Sequence, residues 1–350
     1  MKFEIEIKSP TVITTGEQIL NTDLYEKDGN VYRLRIDDLF VSIDKIYRDE
    51  LRKKYIEAIK NKNSYIKDMY KDIKVDEDLL IGPKIYYKNE FITYRQIILN
   101  YISYIKEING KYYYLPYIPG STIKGAIKNS IKNYILNYLR TDNYFDVLKE
   151  FQIFRESKNY QLADIFRFLQ FSDFMPIDEK NLSIGLGLVK KVRNQQDGGK
   201  ILQYTFYLLP GTRFVGEINV ISKDLIRMIN SSKNNKSLNR NSKLINEIIL
   251  NNMKNDNIDK KGILKFLMEK ANEFTINIFN RYKNFFENCP ITDSSKNFDG
   301  KANIFIGRFK GKYLNIPNFR KTLETYPVLF TYDNKRFKMG HIQIYPQGGW

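Results

Sequence analysis

Cysteine and histidine are almost missing from this sequence: Cys289 and His341 each stand alone in 350 residues. One thiol excludes an internal disulfide and any zinc site built from several cysteines. One imidazole excludes paired-histidine metal sites and deprives acid–base catalysis of the ribonuclease kind of its second group. His341 itself reads as a strand histidine near the end of the chain. Long apolar runs are absent too. Nothing approaches the roughly 18 residues a membrane span needs, and residues 1–10 alternate instead of forming the core of a signal peptide. A soluble, cytoplasmic protein is expected. Acid is also short, with 40 Asp and Glu against 57 Lys and Arg, a formal charge of +17. Coding bias toward Lys, Asn, Ile and Tyr would supply Asp and Glu as well, so the imbalance points to a polyanionic partner. RNA or DNA is the first candidate and an acidic membrane surface the second.

What is present concentrates at 115–140, LPYIPGSTIKGAIKNSIKNYILNYLR. Pro119 and Gly120 make a turn, Ser121 or Thr122 can cap, and Ile123, Ala126, Ile127, Ile131, Ile135 and Leu139 recur at helical spacing as a buried stripe. Lys124, Lys128 and Lys132 line another face. The free N–H groups of the first turn, at the positive end of the helix dipole, suit one or two phosphates, and Gly125 lets a backbone approach. The plainer reading keeps the lysines as a solvated face. Gly120 and Gly125 have the separation of a nucleotide-binding P-loop, but Ala126 and Ile127 replace its Lys and Ser/Thr, which argues against triphosphate chemistry. No cofactor and no metal are expected. Tyr at 26 and Phe at 23 are enough to fill a core and leave a few rings for stacking on bases.

Along the chain, KFEIEI at 2–7 is a half-buried strand, Thr14, Thr15 and Gly16 form a polar loop after Ser9 and Pro10, and 31–36 is a second strand. Residues 51–72 and 93–108 read as helical, part of an insertion over about 43–110 that could serve as a docking surface. Further strands are expected at 164–174, at 182–192 (interrupted by Gly185 and Gly187), at 201–209 and at 214–221. Lys190, Lys191 and Arg193 lead into a loop. The order implies an α+β unit of the ferredoxin-like kind, an antiparallel sheet with helices on one side. The Asn/Ser/Lys-rich 230–243 reads as a linker or solvated loop. After it, a long amphipathic helix at 263–287 and strands at 304–308 and 337–345 suggest a second, smaller module. The expected division is therefore 1–221 and 222–350.

Several pieces resemble one family in the same order. SPTVITTG after the first strand looks like the opening of CRISPR RAMP proteins, YIPGSTIKGAIK is close to their helix start, LQFSDFMP resembles their strand end, and LLPGTRFVGEINV resembles a later strand. GRFKGK is similar to their C-terminal glycine-rich loop. Within that superfamily, the length, the insertion and the helical second half look most like the type III-A (Csm) effector subunit that caps the complex at the guide RNA 3′ end.

The resemblance implies two ferredoxin-like (RRM-like) modules, crRNA as ligand and the repeated RAMP backbone subunit as partner. It also implies 3′ maturation through a recruited host nuclease and no catalytic residue in this chain. Residues and resemblance together give an RNA-binding set. Thr14, Thr15 and Gly16 lie in the loop that the superfamily places beside the helix. Gly120, Ser121, Thr122, Lys124, Gly125 and Lys128 form the helix start. Lys190, Lys191 and Arg193 extend the track, and Arg308, Lys310 and Lys312 belong to the second module. Phosphate contacts of this kind position a strand without reading its sequence. The rival readings are a RAMP endoribonuclease using Asp23 or His341, the cap at the 5′ end of the guide, and an interaction scaffold whose charge serves solubility.

Overall fold

The structure is a computed structural model that describes residues 1–28, 30–60, 70, 73–87, 97–139, 152–155, 162–190, 203–221, 223, 251, 253–254, 257–281, 298–307, 329–332, 335–338 and 340–350. Alternation fixes its first strand. In β1 (Lys2–Ile7) Phe3, Ile5 and Ile7 are fully buried while the residues between them keep contact with water. β1 lies between β15 (Arg213–Val220) and β21 (His341–Pro346), antiparallel to both, so that Ile5 faces Phe214 on one side and Ile344 on the other. β11 (Leu169–Phe171) and β12 (Met175–Pro176) flank β15, and β18 (Ala302–Phe305) flanks β21. Every pairing in this sheet is antiparallel.

Among the described residues, two helices cover the sheet. α3 (Gly120–Leu139) buries the stripe Ile123, Ala126, Ile127, Ile131 and Ile135. α4 (Lys260–Arg281) buries Ile263, Leu264, Leu267, Met268 and Ala271 in the same core. The helices pack on each other, with the Tyr134 and Phe266 rings edge to face, and both touch β18. Read along the chain, β1, α3, β11–β12, β15, α4 and β21 give the βαββαβ order and the strand arrangement of a ferredoxin-like unit. Its second helix and its fourth strand come from the C-terminal part of the chain. The division expected at 221/222 thus falls inside this unit, because β21 supplies the apolar Ile342 and Ile344 that cover the open edge of β1.

The second sheet runs β2 (Gln18–Leu20), β6 (Ile97–Leu99), β14 (Gln203–Leu208), β13 (Ser183–Lys190), β5 (Leu80–Tyr87), β4 (Asn30–Leu34) and β3 (Leu24–Lys27). β19 (Leu329–Tyr332) lies beside β13 and β20 (Lys335–Lys338) beside β19. It is mixed, with β13 parallel to β5 and β14 parallel to β6. Gly185 is required here: a Cβ on it would lie 2.0 Å from the Tyr207 ring that crosses the strand.

Among the described residues, the α-helix of the insertion lies in its first half. α1 (Ile36–Ser42) and α2 (Lys45–Lys60) gather a small separate core of Leu34, Leu39, Leu51, Tyr70, Val75 and Leu79. The stretch expected as helix at 93–108 contains β6 and β7 (Ser103–Ile108), and β7 forms a hairpin with β8 (Lys111–Pro116). Asn109 and Gly110, at φ 54° and 79°, form the turn, a dipeptide suited to the tight hairpin type that needs two positive φ angles. Ile102, Tyr104 and Ile105 favour a strand, and hairpin pairing overrides the helical spacing of the apolar residues. Two short pairs, β9 (Gln152–Arg155) with β10 (Leu162–Asp164) and β16 (Met253–Lys254) with β17 (Asn257–Ile258), complete the described strands. Among the described residues, no helix is long and apolar enough to cross a membrane.

Candidate nucleic-acid interface

The start of α3 is built against the end of β11. Ile118 and Phe174 exchange both backbone hydrogen bonds, at 3.0 and 2.9 Å, which brings the Pro119–Gly120 turn onto the strand. A Cβ at Gly120 would come 2.4 Å from the carbonyl oxygens of Phe171 and Ser172, so only glycine permits the approach. The Gly120 N–H donates to the Asp173 carboxylate at 2.9 Å. This corrects one expectation: the first amide of the helix, assigned above to a phosphate, is capped by an acidic side chain from outside the helix. A carboxylate at the positive end of the dipole stabilises the helix and repels a phosphate from that amide. Ser172 completes the latch, its Oγ accepting the Glu217 N–H at 2.7 Å and donating to the Asp173 carbonyl at 3.0 Å.

The lysine face is oriented by the same edge. Lys124 donates to the Leu169 carbonyl at 2.8 Å, and the Lys128 ammonium lies 5.7 Å from the centre of the Phe166 ring, a cation–π contact. Both lysines are half-buried and keep access to solvent, Ser121 is exposed and Thr122 half-buried. Gly125 is exposed, and a Cβ there would meet nothing within 4 Å. No packing demand explains that glycine.

The Thr14–Gly16 loop is anchored elsewhere. The Gly16 N–H donates to Thr14 Oγ1 at 2.9 Å and the Glu17 N–H to Thr15 Oγ1 at 3.3 Å, two local turns that hold Gly16 at φ 93°. On one side, the Ile102 N–H donates to the Ile13 carbonyl and the Asn100 N–H to the Glu17 carbonyl. On the other, Gly307 (φ 87°) presses against Val12, where a Cβ would lie 2.4 Å from its carbonyl oxygen, and the Gly340 N–H donates to the Pro10 carbonyl. The structure therefore unites the N-terminal loop with the entrance of the C-terminal GRFKGK stretch. The backbone of Lys190 ends β13 opposite Leu329. Lys191, Arg193, Arg308, Lys310 and Lys312 lie outside the described residues.

The two residues of the enzymatic alternative have structural environments. His341 is 1% exposed; its Nε2 lies 3.0 Å from Asn303 Oδ1, and burial, with Lys8 nearby, pushes its pKa down to about 3. Asn303 Oδ1 also accepts from Gln343 Nε2, so it is the acceptor for the His341 Nε2–H, and the neutral ring cannot reach a substrate. Asn272 Oδ1 closes this network by accepting the Asn303 N–H and Nδ2–H at 3.0 and 2.9 Å. Asp23 ends the single turn Asn21–Asp23, pinned where Tyr70 donates to the Thr22 carbonyl. Among the described residues, no group of three His, Cys, Asp or Glu is placed to hold a metal.

The PGT turn has a structural role: Gly211 (φ 87°) donates to the Ile7 carbonyl at 2.7 Å and the Ile7 N–H to the Thr212 carbonyl at 2.9 Å. Beside it lies a cleft of about 420 Å³ lined by residues such as Ile177, Asn181, Leu182, Pro210 and Arg213, none of them in the expected set. The residue that sequence reasoning missed at the helix start is Asp173. The signal was there, an Asp just after a strand, but its partner lies 53 positions away.

The family model of the RAMP superfamily matches residues 4–288. No curated protein matches the chain. Among solved structures, the chain is similar to a chain of the cryo-EM structure of a Csm–crRNA–target RNA ternary complex of a type III-A CRISPR-Cas system. The TM-score is 0.62 at 16% identity, covering 98% of this chain and 100% of that one. It is also similar to Csm5 of T. onnurineus, with TM-score 0.55 at 16% identity, covering 89% of this chain and 90% of that one.

Proposed function

The chain belongs to the RAMP superfamily, and from that premise we propose that it is a crRNA-binding subunit of a type III-A Csm effector complex. In this reading it caps the 3′ end of the backbone filament and cuts no RNA itself. The observation that carries the reading is the end-to-end likeness to a chain of a Csm–crRNA–target RNA complex, in which neither chain has a large unmatched part. The likeness to Csm5 supports the cap over the repeated subunit. The lysine face of α3 takes the phosphates, with Lys124 and Lys128 held at the edge of β11 and Ser121 and Thr122 beside them. With the Gly120 amide capped by Asp173, the strand lies along the helix face past Gly125 and not on the helix end. Thr14, Thr15 and Gly16, with the basic residues Lys190, Lys191, Arg193, Arg308, Lys310 and Lys312, continue the track. The backbone subunit packs alongside, and 3′ trimming falls to a recruited nuclease. Burial of His341 argues against the acid–base alternative.

The test is reconstitution with the other subunits and a guide carrying a photocrosslinker at one terminus. Crosslinks from the 3′ end are expected. Crosslinks from the 5′ end alone would make the chain the opposite cap, and specific cleavage of precursor RNA lost in Asp23→Asn would make it an endoribonuclease.

A further inference from the structure

The turn Ile165–Phe168, just before β11, lies under the lysine face of α3. Lys128 sits over the ring of Phe166, and Lys124 holds the carbonyl of Leu169. Arg167 stands between these two contacted residues. It is exposed and has no hydrogen-bond or ion-pair partner among the described residues. The end of β15 meets the same turn, since the Ile221 N–H donates to the Phe168 carbonyl at 2.9 Å. Two residues on is Lys223, likewise exposed and without a partner among the described residues.

Two acids of this edge, Asp173 and Glu217, are at its other end, while Asp164 precedes the turn. Leu169 pairs with Val220 and Phe171 with Ile218, so Arg167 and Lys223 flank one end of the ladder while Asp173 and Glu217 flank the other. Six positions separate Arg167 from Asp173 and Lys223 from Glu217, at most roughly 20 Å at about 3.3 Å per residue, against a Debye length of about 10 Å at 0.1 M salt. Asp173 and Glu217 thus sit away from Arg167 and Lys223, toward the capped start of α3.

We infer that the phosphate-binding surface leaves the helix, crosses the Ile165–Leu169 turn with Arg167 and Lys223 as contacts beside Lys128 and Lys124, and stops at Asp173. The ligand is the sugar–phosphate backbone of single-stranded RNA, so the inference rests on the RNA-binding reading above and gives its strand a path. Arg167 adds what the lysines lack, a planar fork that grips a phosphate through two donors.

The test titrates a labelled single-stranded guide RNA with the full chain across a salt series, comparing wild type, Arg167→Ala/Lys223→Ala and the charge-preserving Arg167→Lys/Lys223→Arg, with thermal unfolding as the folding control. The alanine pair should weaken binding about ten-fold and flatten the log–log salt slope by about 1.4, two contacts at roughly 0.7 each. The charge-preserving pair should keep the slope. If the alanine pair binds like wild type while Lys124→Ala/Lys128→Ala loses binding, the chain binds RNA but the path over the turn is wrong. A wild-type slope near zero overturns the RNA reading and this path together.

Discussion

The first sheet has two flanks that carry polar side chains of opposite character. At the β18–β21 flank Asn272, Asn303 and His341 are between 1% and 3% exposed, neutral, and bonded to one another. At the β11–β12 flank Lys124, Arg167, Asp173 and Lys223 are charged and reach water. The same sheet thus closes one polar network and leaves the other open. A closed network specifies packing, and breaking it strands buried donors. An open one can exchange its water for a ligand. The single histidine belongs to the closed flank and the lysine-face part of the candidate RNA track to the open one.

The contrast is sharpest for stability. Asn303→Ala removes the acceptor of His341 and Gln343 and the donor to Asn272, and should cost about 3 kcal/mol in urea unfolding while leaving RNA affinity per folded molecule unchanged; lost affinity in the folded variant would break the division. Gly120→Ala drives a methyl into two carbonyl oxygens and should cost about 2–3 kcal/mol. Because it shifts the helix start, it should weaken RNA binding as well. Next comes pH. His341 has a folded pKa of about 3 against an ordinary 6.5. Between these values the unfolded chain binds the extra proton, so this contribution is complete above 6.5 and drains as pH falls toward 3. At about 1.4 kcal/mol per pH unit, wild type should lose roughly 2 kcal/mol more than His341→Gln between about pH 6.5 and 5. Equal losses would mean the ring is hydrated. The smallest effect has the opposite sign: Gly125→Ala fills open space on a helix and should stabilise the chain by about 0.5–1 kcal/mol, yet weaken RNA binding if a strand passes there.

Local patterns were enough for β1, α3, β15 and α4, where alternation or helical spacing carries the core residues themselves. They failed at 93–108, where Ile and Tyr fit both periods and the deciding feature was the Asn109–Gly110 turn. Pairings far apart in sequence were not legible. β1 against β21 joins the two ends of the chain, and nothing in either strand announces the other. The Asp173 cap is hidden for the same reason, because a helix start reads as open until the strand that closes it is placed. The lysine face was visible as spacing, but its anchors, Leu169 and Phe166, were not.

The most direct test of the central claim, that this chain grips a strand by its phosphates, is the salt dependence of guide RNA affinity. With about eight phosphates neutralised, log affinity should fall against log salt with a slope of roughly −5 to −6, and Lys124→Ala/Lys128→Ala should flatten it without unfolding the protein. A slope near zero, or a double variant that binds as wild type does, would contradict it.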